Sequence, residues 1–257
     1  WRIAQSQKAL GRSRDYQLAL NDVIVAFART GQPAGSMAAE YAAEARFRLA
    51  DTEIDGFEKY AIKPGRPPTM KAYVDTLAAQ VDQGSSRAIE ISKDYEPVLQ
   101  YRRPTWTIAA FVRQGRTYEV LARAVLNAPF VMPADMQKQL RGLDEYDRED
   151  IRVQVEDQVR QVLDARVRPI ECLAVARYAL AARAARAGSI DDEYTRTAID
   201  RLQAYGDERI AECIAEAQAK DATFEGYQPG EFARSPRGKP LQIRPGVAPP
   251  AIKQEAY

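Results

Sequence analysis

The sequence predicts an all-α protein in which antiparallel helix pairs stack as an α-solenoid, followed by an extended C-terminal tail. Apolar residues recur at spacings of three and four in successive blocks, the period of an amphipathic helix. No segment shows sustained strand-like alternation bounded by hairpin turns. Proline, glycine and serine clusters separate the blocks cleanly.

The first predicted helix, 12–29, carries Tyr16, Leu20, Val23, Ile24 and Phe27 on one face and stops at Gly31-Gln-Pro33. The second, 36–61, opens on Ser36 as a cap and has a stripe of mostly small residues (Ala38, Tyr41, Ala42, Ala45, Leu49, Ala50) that lets a neighbour approach closely. Pro64, Pro67 and Pro68 then force an extended connection. The third helix, 69–100, buries Tyr73, Leu77, Val81, Ile89 and Ile91, with a weak point at Gly84-Ser-Ser86.

The fourth, 104–127, begins on Pro104, which a helix start tolerates, and buries Ile108, Phe111, Val112, Gly115, Tyr118, Leu121, Ala122 and Val125. A short helix near Met136–Leu140 leads to the acidic stretch Asp144–Asp150, read as a solvated loop whose charge suits the N-terminus of the helix that follows.

The last two helices form a hairpin, 149–187 and 191–219. Val155, Val159, Val162, Leu163, Val167, Ile170, Leu173 and Ala174 mark the buried edge of the first, and Tyr194, Ala198, Ile199 and Leu202 that of the second. Gly188 suits a left-handed C′ position, and Ser189 with Asp192 resembles a capping box. The helical domain is therefore placed at 1–224 and a Pro/Gly-rich extended or disordered tail at 225–257.

Composition narrows the function. Apolar residues make up 46% of the chain, enough for a real core, and 37 lysines and arginines balance 36 aspartates and glutamates. A balanced charge supplies no field to draw nucleic acid or an anionic membrane, so partners must be recognised locally. Histidine is absent from the sequence, which removes histidine general acid/base pairs, histidine-dependent nucleophile systems and histidine-ligated metals. No catalytic, cofactor-binding or metal-ligating residue is assigned. The longest apolar runs, such as Val23–Ala28, are far shorter than a membrane span.

Repeat signals are the most informative motifs. Phe111-x3-Gly115-x2-Tyr118 has the aromatic–glycine–tyrosine pattern of a tetratricopeptide first helix, and Ala174-x3-Tyr178-x2-Ala181 the alanine–aromatic–alanine pattern of a second. Ala45-x-Phe47-x-Leu49-Ala50 is a partial match. Together with Pro104-Thr-Trp106, Asn127-Ala-Pro129 and Pro169-Ile-Glu-Cys-Leu-Ala174, the first two motifs resemble the C-terminal region of tetratricopeptide-repeat (TPR) proteins of the myxobacterial cell-envelope, adventurous-gliding-motility type. The resemblance covers about 102–205. It implies a TPR-like α-solenoid, a periplasmic or outer-membrane-associated location, and a scaffold that holds other subunits of an envelope complex without catalysis. The charged insertion at 140–150 and the proline-rich tail depart from it.

Cys172 and Cys213 fall on the two helices of the terminal hairpin. In an envelope compartment they would close a disulfide worth about 3 to 4 kcal/mol; otherwise they are two buried thiols. Counted from a turn at Ser189, they lie 17 and 24 residues away, a mismatch of about 10 Å at 1.5 Å per residue that a kink near Tyr205-Gly206 would close. The tail cations Arg234, Arg237, Lys239 and Arg244, spaced among prolines, read as a linear partner-binding segment or as a solubilising linker. Trp106 beside Arg102-Arg103 reads as a packing residue at the start of a helix rather than as a nucleic-acid platform.

The expected function is a non-enzymatic scaffold for protein–protein interactions. A cytoplasmic adaptor shares its fold and differs in compartment. An all-α enzyme working through carboxylates would require a pocket lined by two or more of them.

Overall fold

A computed structural model describes residues 1–219, 224–228 and 230–231. Among these residues all regular structure is helical. The helices are α1 (Arg2–Ala9), α2 (Ser13–Thr30), α3 (Met37–Phe57), α4 (Met70–Asp94), α5 (Glu96–Leu99), α6 (Pro104–Leu126), α7 (Ala134–Gln139), α8 (Glu145–Gly188), α9 (Glu193–Tyr205) and α10 (Asp207–Gln218). None is long and apolar enough to cross a membrane.

Side-chain caps define four of the helix starts. Ser36, Thr69, Asp144 and Asp192 accept from the backbone N–H three residues on, at 3.2, 3.1, 2.9 and 2.8 Å. Gly31 ends α2 with φ 63°, a left-handed conformation that costs glycine little.

Several boundaries differ from the sequence expectation, each for a local reason. α1 was not anticipated, because Ala4 is its single buried residue and no apolar stripe reveals it. The second predicted helix stops at Phe57 instead of continuing to 61. Beyond it the Tyr60 hydroxyl donates to the Gln80 carbonyl, and Lys63 N–H donates to Gln80 Oε1 at 2.7 Å, which ties the proline connection along α4.

The single helix expected over 69–100 divides into α4 and α5. Pro97 has no N–H to give the carbonyl of Lys93, and the helix turns at buried Tyr95. Gly84 is no weak point: α4 runs straight through it, and a β-carbon there would lie 2.6 Å from Leu121 Cδ1 and 2.8 Å from the Tyr60 ring. That glycine serves close approach, not flexibility.

The acidic stretch is likewise not a loop. Asp144 caps α8, and Glu145–Asp150 form its exposed first turns. At the other end of α8 Ser189, not Gly188, takes the left-handed conformation (φ 50°), and the next helix is capped by Asp192 bonding to Thr195 rather than by a Ser189–Asp192 box. The helix expected over 191–219 breaks at Gly206, φ 80°, into α9 and α10. Four residues assigned to buried stripes are exposed, namely Tyr41, Ile89, Val162 and Leu173. In α2 only Ala19 and Leu20 are buried.

Contacts along the chain fix the helix directions. Pro104 meets Gly188 and Gly115 meets Tyr178, so α6 and α8 run antiparallel. Arg87 pairs with Glu53 and Tyr95 with Asp51, so α3 and α4 do too. In contrast, Trp106, Arg113 and Arg116 reach Glu40, Asp51 and Glu58 in the same order, so α3 and α6 are parallel. Arg113 faces Tyr194 and Glu119 faces Arg201, which sets α9 parallel to α6. Short loops make α1–α2 and α2–α3 antiparallel neighbours. The result sets α3, α6 and α9 side by side in one direction, with α2 also against α3, α4 and α8 against α6, and α10 against α8.

α6 is the centre of this arrangement, with buried residues on nearly every side (among them Ile108, Leu121 and Val125) and contacts to α3, α4, α8 and α9. Burying each such aliphatic side chain contributes about 1.5 to 3 kcal/mol.

Candidate functional site

The residues singled out as repeat-packing positions converge. Gly115 on α6 lies flat against the Tyr178 ring on α8, where a β-carbon would sit 2.9 Å from the ring. Tyr118, Ala174, Tyr178 and Ala181 are buried, and Phe111 is half-buried against the same core. The small residue on one helix and the aromatic on the other thus interlock at the α6–α8 seam. Trp106 is buried at the start of α6 and donates from Nε1 to Glu40 at 2.8 Å. Arg103 also donates to Glu40 and, at 2.7 Å, to the Gly35 carbonyl, which locks the turn before α3 to the turn before α6.

Cys172 and Cys213 are bonded at 2.08 Å across α8 and α10. The break at Gly206 folds α10 back onto α8 and removes the offset that an unbroken helix would have kept. Arg168–Glu212 and Glu171–Arg209 ion pairs flank the bond. Beyond α10, Phe224 is buried and Glu231 is held by Arg183 and Arg186 at 3.0 and 3.2 Å, so this stretch lies along α8. Arg234, Arg237, Lys239 and Arg244 lie outside the described residues.

The polar face shared by α1, α3, α6 and α9 is the candidate site. At one end Trp1, Gln5, Lys8, Tyr16, Glu44 and Arg48 line a recess of about 570 Å³. Burial pushes the Glu44 carboxyl above its ordinary range, with Arg48 at 3.4 Å opposing.

In the middle, Asp51 meets Arg113. Nε of Arg113 lies 2.9 Å from Asp51 Oδ1 but off the line of a hydrogen bond, and Nη2 donates at 3.4 Å, so charge more than geometry holds the pair. The Tyr95 hydroxyl donates to Asp51 at 2.8 Å. Burial raises the Asp51 carboxyl against the pull of Arg113 and raises the Tyr95 phenol still more strongly.

At the far end Arg116, Glu119 and Arg123 from α6, Glu171 from α8, and Arg201 and Tyr205 from α9 line a cleft of about 330 Å³. Glu119 is shared there: Tyr178 donates at 3.1 Å, Arg116 at 3.3 Å, and Arg201 lies at 3.6 Å. Glu171 is paired with Arg209 at 3.3 Å. Sequence reading missed this cleft because its residues come from three helices and share no short motif. The i, i+3 and i+7 spacing of Arg116, Glu119 and Arg123 was its one visible trace.

The site's chemistry is that of paired charges around aromatic rings. Both carboxylates of the cleft are engaged by guanidinium groups, Glu119 by Arg116 and Arg201 and Glu171 by Arg209. Among the described residues no group of three or more cysteines, aspartates or glutamates is placed to hold a metal ion. No family model, curated protein or solved structure matches this chain.

Proposed function

We propose that the chain is a non-enzymatic helical-repeat scaffold of the TPR kind, which holds protein partners on the face shared by α1, α3, α6 and α9 within a bacterial cell-envelope complex. One observation carries this reading: α3, α6 and α9 lie parallel and adjacent, while α4 and α8 pack behind α6 and α10 packs on α8. That is the layering in which repeat proteins expose an extended surface for partners. The interlock of Gly115 with Tyr178 supports it from the sequence side.

The Cys172–Cys213 bond favours an oxidising compartment over the cytoplasm. The resemblance to gliding-motility proteins supports motility as the process that such a scaffold would serve. Against a carboxylate enzyme stands the engagement of Glu119 and Glu171 by arginines.

Crosslinking with mass spectrometry in native cells, paired with solution scattering of the purified chain, tests the proposal. The expected result is a reproducible set of envelope proteins crosslinked to α3, α6 and α9, with an elongated particle. A compact spherical profile with no specific crosslinks would refute it.

A further inference from the structure

The far-end cleft carries an excess of positive charge that the fold does not neutralise. Glu119 is asked to balance two guanidinium groups, Arg116 and Arg201, while it also accepts from Tyr178. Arg116 has Glu58 as a second partner at 3.2 Å. Arg201 has Glu119 at 3.6 Å as its ion-pair partner among the described residues, and its side chain is 44% exposed. Arg123, exposed at the cleft edge, makes no ion pair or side-chain hydrogen bond among the described residues. Ala122, Leu126, Ala204 and Tyr205 line the same cleft and give it an apolar part.

We propose that this cleft receives a carboxylate side chain from an acidic, extended segment of a partner protein, with Arg123 and Arg201 gripping the carboxylate and Tyr205 and Leu126 packing its stem. A guanidinium presents parallel N–H donors that match a carboxylate, and arginine is enriched among residues that dominate interfaces. Glu119 and Glu171 sit beside the arginines and limit the cleft to one carboxylate at a time, so the other acids of an acidic segment lie outside it. The near-zero net charge of the chain agrees, since it offers no long-range field for nucleic acid. This inference rests on the scaffold reading and specifies what the scaffold grips.

The test uses the full chain and a fluorescent hexaglutamate peptide, followed by anisotropy, with hexalysine as control. Wild type is expected to bind hexaglutamate saturably and more weakly as salt rises, and the R123Q/R201Q double variant to lose about tenfold in affinity with an unchanged melting temperature. R123E/R201E should lose more. Absence of saturable binding, or equal binding by the glutamine variant, would overturn the proposal. Displacement by inorganic phosphate as effective as by unlabelled hexaglutamate would also overturn it, showing a simple anion site. Crosslinking the same variants in native cells separates the two claims. Partners of wild type lost from R123Q/R201Q support the cleft, and partners retained refute it while leaving the scaffold reading intact. If wild type itself captures no partner, the scaffold reading falls and the peptide assay judges the cleft alone.

Discussion

At the scale of single residues, packing and burial decide the outcome more often than propensity does. Gly115→Ala gains helix propensity of about 1 kcal/mol, but the new methyl meets the Tyr178 ring at 2.9 Å. Overpacking of that kind costs about 1 to 3 kcal/mol, so the variant should melt lower. Gly56→Ala is the control, because nothing lies within 4 Å of a β-carbon there. It should raise the melting temperature, and if both variants shift the same way the seam is not as tight as described.

Asp51 offers a second handle. Removing it in Asp51→Ala strands Arg113 and should cost about 1 to 3 kcal/mol, between the values for surface and buried pairs, because the two side chains are 17% and 34% exposed. Its titration has a definite sign. The folded carboxyl sits above its ordinary value through burial, so the native state keeps a proton that the unfolded chain has already lost. Stability from this group therefore falls as pH rises from the ordinary carboxylate value through the raised one, and is flat above it. The stability of wild type minus that of Asp51→Asn, from urea midpoints across that range, should fall as pH rises. A difference that grows with pH would contradict the assignment.

At the scale of elements, periodicity disclosed the helices well and their ends poorly. The stripe Ile108–Val125 announces α6, because that helix buries almost every side and any apolar reading of it is right. α8 misleads in the opposite way: it runs 44 residues and buries its face only from Val159 onward, so Val162 and Leu173, apolar but outside the α6 contact, count as core in the sequence and not in the structure. The breaks at Tyr95 and Gly206 depend on the N–H that Pro97 lacks and on the fold-back of α10, so Pro97 and Gly206 were the visible clues and the fold-back was not. The site was less legible still. Its seam residues Gly115 and Tyr178 stand in recognisable motifs, whereas the Arg113–Asp51 and Arg201–Glu119 pairs join residues on different helices that no spacing rule connects.

The disulfide is the element-scale prediction. It closes a separation of 41 residues, so reduction should cost about 4 kcal/mol. Because α10 meets only α8 and α9 extensively, the loss should be local. Amides of α10 should lose hydrogen-exchange protection on reduction while those of α6 keep theirs. An unchanged urea midpoint after complete reduction and alkylation would show that the bond does not stabilise the fold.

For the whole molecule, the order of packing implies an order of unfolding. The main core joins α3, α4, α6, α8, α9 and α10 in one continuous cluster. α1 and α2 contribute a separate small cluster, Ala4, Ala19 and Leu20 with Ala45 of α3, ringed by half-buried Trp1, Tyr16, Val23, Ile24 and Leu49. Their attachment to the rest passes mainly through α3, with Phe27 of α2 also edge-on to Tyr101. In a stack stabilised by nearest-neighbour contacts, a terminal pair with so little buried area opens independently of the interior. Native-state exchange should accordingly show α1 and α2 opening at least about 2 kcal/mol below α6. Limited trypsin digestion should cut first at the exposed Arg12, Arg14 and Arg29, before any cut in α6. Two substitutions sharpen the test: Leu20→Ala should abolish α1–α2 protection and leave α6 unchanged, while Leu121→Ala should lower protection everywhere by about 2 to 5 kcal/mol. Concerted exchange of α2 with α6 in wild type, or loss of α6 protection in Leu20→Ala, would mean that all the helices fold as one unit. It would also mean that the face they share is rigid from Lys8 to Arg201, leaving no terminal pair free to swing as a partner docks.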